Sequence, residues 1–249
     1  MALSETAQHI RVVDAYPALV LHLDEEQQLL ARRHAVAPLL VLGPGTWRPR
    51  RELQTEHGHL GLLVLDGLLT RDVVIGETLA TELVGRGDVL RPTDHDGEDA
   101  PVPFDVVWHV LEPTRIAVLD RRFAQVIGRW PEVLEELMRG AVRRAHSLAI
   151  TLAVSHLRRV DVRLLVLMWY LADRWGKVRP DGVHVPLRLT HQTLGRLVGA
   201  QRPSVTTALR QLSDEGRLTR ADDQSWILHG DPPETLERLR AEGLSGRSA

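Results

Sequence analysis

The segment Thr190–Leu218 constrains this 249-residue chain more than any other, because it holds two helix signals separated by a stop signal. Thr190 is a favourable N-cap, and Gly199 suits the left-handed conformation that ends many helices. Pro203 is tolerated only in the first turn of a helix, so a second helix must begin close to it. The sequence therefore predicts two short helices about three residues apart, packed together by one apolar side each.

The second helix has two chemically different faces. Its apolar stripe is expected to pack against the first helix and consists of Val205, Ala208, Leu209 and Leu212. Its other face carries hydrogen-bond donors and no acidic residue, namely Arg202, Ser204, Thr206, Thr207 and Arg210. Such a face suits phosphates and base edges, so we expect this helix to enter a DNA groove. An ordinary helical hairpin with a solvated polar face is the alternative.

The residues after the helix pair predict a two-stranded hairpin. The segments Gly216–Thr219 and Ser225–Leu228 flank a polar tip at Ala221–Gln224. A helix pair followed by such a hairpin is typical of a winged helix, which favours DNA binding. Asp222 and Asp223 at the tip would repel phosphate, so we expect a small contribution from the wing.

Charge is distributed unevenly along the chain. Between Arg174 and Arg220 the net charge is +6, which leaves −8 for the remainder of a chain whose formal net charge is −2. This asymmetry is typical of a nucleic-acid-binding domain attached to another domain. The absence of cysteine excludes disulfides and thiolate metal sites. No apolar run reaches the roughly 20 residues that span a bilayer, and a signal-peptide pattern is missing, so we expect a cytoplasmic protein.

The N-terminal half predicts a β-rich domain after a short helical entry. Within residues 1–30, Asp24 is expected to cap a helix, with apolar contacts from Leu19, Leu21, Leu23, Leu29 and Leu30. From Ala35 to Leu119, short apolar runs alternate with turn signals such as Asp66-Gly67, which is typical of a β-sandwich or barrel. The polar segment Leu90–Pro103 is interpreted as an exposed loop.

Helical periodicity begins after Asp120, and Pro131 marks the first turn of a long helix. This helix contains a heptad seam of nearly three repeats: Leu134, Met138, Ala141, Ala145, Leu148 and Leu152. A second apolar set is available to cover the helix's own β-domain: Val133, Leu137, Ile150, Ala153 and Leu157. We therefore expect the seam to form a parallel homodimer, the alternative being that the seam itself covers the β-domain.

Three further segments complete the prediction. The segment Asp161–Trp175 is apolar almost all round, so we expect a helix buried at the junction between domains. Lys177–Leu189 predicts a turn and one short strand, and Pro232–Leu244 predicts a terminal helix before a frayed tail.

A β-barrel, a long dimer helix and a C-terminal winged helix, in that order, resemble the Crp/Fnr family of bacterial transcription regulators over essentially the whole chain. The motifs that carry the resemblance are Leu189-Thr190-His191-Gln192, Gly195-x-x-Val198-Gly199, Arg202-x-Ser204-Val205 and Leu209-x-x-Leu212-x-x-x-Gly216, with weaker turns at Gly67 and Gly87-Asp88. The resemblance implies an α+β fold. The expected fold has three parts: a jelly-roll or barrel sensor domain of the cyclic-nucleotide-binding type (1–130), a dimerisation helix (131–158) and a winged helix-turn-helix domain (159–249).

The resemblance also implies partners and contacts. The expected partners are double-stranded DNA with a palindromic operator, a second copy of the chain and, for an activator, RNA polymerase; no membrane is expected. The residues expected to read bases are Arg202, Thr206 and Thr207. The residues expected to contact phosphates are Thr190, His191, Gln192, Gln201, Ser204 and Arg210. Pro203 replaces a glutamate that accepts from cytosine, and Thr207 replaces a second arginine, so we expect a different operator from the family's best-known one.

Members of the family that bind cyclic AMP hold its phosphate with a Gly-Glu after the Gly-Asp turn and then an Arg-Ser pair. Here Arg91-Pro92 and Phe104-Asp105 stand near those positions. We therefore expect that cyclic AMP is not bound in the family manner. Neither a cofactor nor enzymatic activity is expected, and the spacing selects no effector site among Arg86, Arg91 and Arg115.

Two other functions stay open at this point. His57-Gly58-His59 places two imidazoles on one side of a strand, as in metal-dependent cupin-type barrels, although the glutamate that should follow is missing. The winged helix could instead bind a protein. We favour a homodimeric DNA-binding regulator whose dimer helix transmits a signal as a population shift.

Overall fold

The computed structural model describes residues 8–49, 58–91 and 102–233, and the chain divides into two compact units after Leu148. The N-terminal unit contains β1 (His9–Arg11), α1 (Val12–Ala15), α2 (Glu25–His34), β2 (Val36–Leu42), β3 (Gly45–Trp47), β4 (Gly61–Ile75), β5 (Thr78–Gly85), β6 (Val89–Leu90), β7 (Asp105–Leu119), α3 (Arg121–Ile127) and most of α4 (Pro131–Ser155). The C-terminal unit contains α5 (Val160–Trp175), β8 (Lys177–Arg179), β9 (Gly182–Val185), α6 (His191–Val198), α7 (Arg202–Asp214), β10 (Leu218–Arg220) and β11 (Trp226–Leu228). The predicted α+β class, with an N-terminal β-domain and a C-terminal winged helix-turn-helix, is confirmed.

An antiparallel seven-stranded sheet forms the N-terminal unit. Its main path runs β1-β2-β7-β4-β5, while β3 pairs with β7 and β6 pairs with β4. Successive side chains of β4 alternate between two cores. Leu62 and Val64 pack with Trp108 and Ile116, whereas Leu63 packs on the other face with residues of the helices. Both faces of the sheet are therefore covered, which explains why β4 is apolar without a break over its first half.

The Asp66-Gly67 pair bends a strand instead of ending one. β4 continues through it for 15 residues, and the register against β7 shifts around Asp66 and Leu68. Gly67 has a φ of 96°, and a Cβ there would lie 2.3 Å from the Thr114 hydroxyl oxygen. The prediction of separate strands on either side of Asp66-Gly67 is therefore wrong, because a glycine bulge carries the strand through the bend.

The helical segment that precedes β2 agrees with the prediction in its cap but not in all of its apolar contacts. Asp24 caps α2 with a reciprocal capping box in which Gln27 bonds back to the Asp24 backbone. Leu19 and Leu23 are buried in the core on the helical face of the sheet. The predicted contacts of Leu21, Leu29 and Leu30 are wrong, because these side chains lie on the solvent side and are exposed.

Helix α5 is the centre of the C-terminal unit. It packs on α6, α7 and β9, and seven of its side chains are buried: Leu164, Leu165, Val166, Leu167, Met168, Leu171 and Ala172. The wing is confirmed as an antiparallel pair of β10 and β11. The expectation of one strand before Thr190 is too simple, because β8 and β9 form a hairpin that extends the wing into a four-stranded sheet.

Three sequence predictions lie wholly or mostly outside the described residues: the loop Leu90–Pro103, the terminal helix Pro232–Leu244 with its tail, and the His57 half of the histidine pair. Across the described ranges, none of the helices combines the length and apolar character that crossing a bilayer requires.

We expect Gly67→Ala to destabilise the β-domain by about 3 kcal/mol or more, because the added methyl group meets Thr114 and the backbone is in a left-handed conformation. Chemical denaturation followed by circular dichroism measures the loss. Gly76→Ala is the matched control: Gly76 also has a positive φ, of 58°, but no atom within 4 Å of a Cβ, so only about 1–2 kcal/mol is expected. Equal losses in the two variants would contradict the close approach of Thr114 as the cause.

Candidate functional site

Helix α6 begins and ends as the sequence predicts. The Thr190 hydroxyl accepts a hydrogen bond from the Thr193 backbone N–H at 3.1 Å, which satisfies one unpaired donor of the first turn. Gly199 ends the helix with a φ of 64°. Gly195 allows the following turn to pass closely, because a Cβ there would lie 2.6 Å from the Ala200 carbonyl oxygen. These small residues set the short connection to α7.

Helix α7 separates its apolar and polar residues completely. Pro203 lies in its first turn, and the stripe of Val205, Ala208, Leu209 and Leu212 is buried. Every predicted DNA-contacting residue of this helix is exposed: Arg202, Ser204, Thr206, Thr207 and Arg210. No acidic side chain lies among them, so α7 presents a face of donors and hydroxyls to solvent.

The two threonines of this face already use their hydroxyl protons. Thr206 donates to the Arg202 carbonyl oxygen at 3.0 Å, and Thr207 donates to the Pro203 carbonyl oxygen at 3.2 Å. Each hydroxyl oxygen keeps a lone pair, and each methyl group stays available for apolar contact. These side chains are therefore suited to accept from a base amino group or to contact a thymine methyl group.

The predicted phosphate contacts come from both helices. Thr190 serves as the α6 cap, and Gln192 is exposed one turn from it. Gln201 stands at the N-cap position of α7, where its side chain makes no capping hydrogen bond. His191 of α6 reaches α7, since its Nδ1 lies 3.0 Å from the Thr206 hydroxyl oxygen. The structure thus brings the N-terminal ends of α6 and α7 into one polar surface.

Sequence reasoning missed Arg163, which positions the helix pair from α5. Its guanidinium donates to the Val198 and Gly199 carbonyl oxygens at 3.2 Å each and to the Leu157 carbonyl oxygen at 2.5 Å. These are the carbonyls that a helix C-terminus leaves unpaired. The available sequence signal is an arginine directly before the apolar run Leu164–Leu167 of α5.

The wing carries both signs of charge. The Asp223 carboxylate accepts the Ser225 backbone N–H at 3.0 Å, and hydrogen bonds from the Ser225 side chain and backbone lower the pKa of Asp223. Asp223 therefore stays ionised at the tip, as expected for a group that repels phosphate. Arg220 of β10 was not singled out from sequence; its guanidinium lies 5.2 Å from the centre of the Trp226 ring.

The N-terminal unit contains a cavity of about 450 Å³ between the sheet and α4. Arg71, Arg91 and Trp108 line it from the sheet, and Leu134, Leu137, Met138, Ala141 and Arg144 line it from α4. The buried Glu82 carboxylate accepts two hydrogen bonds from Arg144, the one from Nη2 at 2.8 Å, and lies 3.7 Å from Arg71. Burial lowers the pKa of Arg144, but Glu82 more than offsets it, so the net pKa is raised.

The two predicted apolar sets of helix α4 differ in exposure only in the N-terminal part of the helix. Val133 and Leu137 are buried in the β-domain core, as expected of the second apolar set, but Ile150 and Ala153 of that set are exposed. The seam residues are all exposed, with fractions of 42% for Leu134, 62% for Met138, 41% for Leu148 and 62% for Leu152. The seam is therefore not buried against the chain's own β-domain, although its Leu134, Met138 and Ala141 also line the cavity.

Of the histidine pair, only His59 lies within the described residues. His59 lies against Arg91, whose Nη2 is 3.2 Å from the His59 Nε2. No group of three potential ligands among His, Cys, Asp and Glu converges in the part of the chain that the structure describes.

Comparison with known proteins agrees with this geometry. Residues 162–239 match the Crp-like helix-turn-helix domain. The regulatory protein CysR of Synechococcus elongatus is 32% identical over 88 residues, which are 34% of this chain and 41% of that protein. The match thus spans about two fifths of the length of this curated relative.

Solved structures share the fold over most of the chain. FixK2 from Bradyrhizobium japonicum has a TM-score of 0.57 at 13% identity, over 82% of this chain and 96% of that one. A CRP-family transcriptional regulator from Thermus thermophilus has a TM-score of 0.54 at 18% identity, with the same coverage of both chains. A CooA mutant from Carboxydothermus hydrogenoformans has a TM-score of 0.54 at 16% identity, over 83% of this chain and 87% of that one. At these identities the likeness concerns the fold.

Proposed function

Because residues 162–239 match the Crp-like helix-turn-helix domain, we propose that the chain belongs to the Crp/Fnr family and is a homodimeric, sequence-specific DNA-binding transcription regulator of the cytoplasm. Its functional parts are a sensor domain at residues 1–130, a dimerisation helix at 131–158 and a DNA-binding domain at 159–249. The role is binding and not catalysis, and RNA polymerase is a further partner if the regulator activates.

The exposed polar face of α7 is the observation that carries this proposal. Its opposite face is buried against α5 and α6, so the helix has one orientation and presents Arg202, Thr206 and Arg210 outward. A helix of this kind fits the major groove. Arg202 reads guanine, while Thr206 and Thr207 read the neighbouring bases as acceptors or through their methyl groups.

The remaining contacts fix the register on DNA. Phosphates are held by Thr190, His191, Gln192, Gln201, Ser204 and Arg210. The Pro203 side chain has no acceptor for the amino group of cytosine, and Thr207 has no guanidinium for a bidentate contact. The operator therefore differs from that of relatives with glutamate and arginine at these two positions.

We expect Arg202→Ala to lower the preference for the operator over scrambled DNA by about 5- to 150-fold, since a bidentate guanine contact contributes about 1–3 kcal/mol of discrimination. The operator is first selected from a random pool with the wild-type protein, and affinity is then measured by fluorescence anisotropy. Arg210→Ala is expected to weaken both DNAs equally and to reduce the salt slope by about one. Arg179→Ala, an exposed arginine on β8, is the control. Unchanged discrimination in the Arg202 variant would remove it from base reading.

We assign dimerisation to the seam of α4. Six residues at heptad spacing are exposed together, and Ala141 and Ala145 in the middle permit a close helix approach. A parallel pair of such helices gives the molecule a two-fold axis. The two α7 helices then address half-sites about 34 Å apart in a palindromic operator.

Met138→Glu is expected to convert the dimer to a monomer at micromolar concentration, because it places two carboxylates across an apolar seam. Sedimentation velocity measures the mass, and circular dichroism checks the fold. Val178→Glu is the matched control, because Val178 is 87% exposed on β8, outside the seam. A dimer that survives Met138→Glu, Leu148→Glu and Leu152→Glu would exclude the seam.

We further propose that the cavity of the N-terminal unit does not take cyclic AMP in the family manner. Its arginines have protein partners: Arg144 and Arg71 share the Glu82 carboxylate, and Arg91 donates to the His59 carbonyl oxygen at 3.2 Å. A cyclic phosphate would have to displace a buried carboxylate or lie beside it, and both are unfavourable.

Cyclic AMP at millimolar concentration is therefore expected to leave the melting temperature and the operator affinity unchanged. A ligand present at 100 times its Kd would stabilise the folded protein by about 2.7 kcal/mol, which differential scanning calorimetry detects readily. Operator DNA supplies the positive control. A saturable rise in melting temperature with cyclic AMP would show that the cavity accepts it.

A further inference from the structure

The imidazole of His191 is held in one tautomer by its contact with α7. Its Nδ1 lies 3.0 Å from the Thr206 hydroxyl oxygen, and that hydroxyl donates its own proton to the Arg202 carbonyl oxygen at 3.0 Å. A hydroxyl has one proton, and with that proton directed to the Arg202 carbonyl oxygen it accepts from His191, so the hydrogen of the neutral ring lies on Nδ1. In the neutral ring the remaining Nε2 carries only a lone pair.

Cations face this ring from the other elements of the interface. Partial burial lowers the pKa of His191 below its usual 6.5, and the charges of Arg220 on β10 and Arg202 on α7 lower the pKa further. Among the described residues, no carboxylate raises the pKa of His191. Without DNA the ring is consequently neutral at pH 7, and its Nε2 cannot donate to an anion.

We propose that His191 and Arg220 hold one backbone phosphate of DNA beside Arg202, and that His191 takes up a proton from solvent when this phosphate binds. The inference rests on the proposed function. It extends that function by a phosphate contact from Arg220 of the wing and by the uptake of a proton by His191. Arg220 is supported by the Trp226 ring, while Thr206 directs the imidazole. The protonated Nε2–H then donates to a phosphate oxygen, whereas a neutral ring would present a lone pair to it.

The sign of the pH dependence follows from these charges. Free protein holds the His191 pKa below its usual value, and a bound phosphate raises it by offsetting Arg220 and Arg202. Binding therefore takes up a proton between the two pKa values, and affinity falls as pH rises through that interval. The change is limited to about tenfold for each unit by which DNA raises the pKa.

The test is an operator titration by fluorescence anisotropy between pH 5.5 and 8.5 at constant ionic strength. Wild-type affinity is expected to fall several-fold from pH 6 to pH 8, by up to about tenfold for a pKa raised by one unit. His191→Gln, which keeps a donor without a titrating group, is expected to lose most of this slope. His156→Gln, an exposed histidine after α4, is the matched control and should keep it.

Histidine proton resonances give a second readout that a merely structural role would not move. Operator DNA should raise the pKa of His191, and Arg220→Ala should raise it in the free protein while weakening DNA binding. A slope that persists in His191→Gln, or a His191 pKa that DNA leaves unchanged or lowers, overturns the inference but not the proposed function. Failure to bind any selected DNA at every pH overturns both.

Discussion

The packing of one face of α7 is the interaction on which the C-terminal unit depends. Val205, Leu209 and Leu212 are buried against α5 and α6, and each contributes about 1.5–3 kcal/mol by leaving water. A rotation of α7 by one residue would expose part of this stripe and bury a charged or hydroxylated side chain. Gly195 and Arg163 hold the preceding turn in place. Burial of the apolar stripe thus determines which side chains of α7 face solvent.

In the N-terminal unit, the corresponding role belongs to a buried ion pair that joins α4 to the sheet. Glu82 neutralises Arg144 of α4 and lies close to Arg71 of β4, so the helix is joined to the sheet by charge as well as by Val133 and Leu137. Leu134, Met138 and Ala141 belong both to the cavity lining and to the exposed seam. Any molecule that filled this cavity would therefore touch the residues proposed for dimerisation, which offers a route for a population shift.

The C-terminal unit was more predictable than the β-domain, because its signals are local. Caps, a left-handed glycine and an early proline define α6 and α7 within about 25 residues, and the stripe period predicted every buried position of α7. The N-terminal half depends on pairing between distant strands. Asp66-Gly67 is a turn signal by local rules, and only the pairing of β4 with β7 makes it a bulge.

Side-chain networks were the least predictable part of the candidate site. Arg163 reaches the Val198 carbonyl oxygen across 35 residues of sequence, and Arg144 reaches the Glu82 carboxylate across 62, so spacing alone carries no signal for these contacts. Conversely, Leu29 and Leu21 looked like core residues by composition and are exposed, because the short entry segment is covered by the sheet on one side only.

The close approach of α4 to the Gly87 turn has a mechanical consequence. A Cβ at Gly140 would lie 2.6 Å from the Gly87 carbonyl oxygen, and one turn later Arg144 bonds Glu82 and the Val89 carbonyl oxygen. Shifting α4 by one residue along its helical path, about 1.5 Å with a rotation of about 100°, would place Arg139 or Ala141 against Gly87 and break both arginine contacts. The contact between Gly140 and Gly87 thus fixes the register of α4 against the turn that precedes β6.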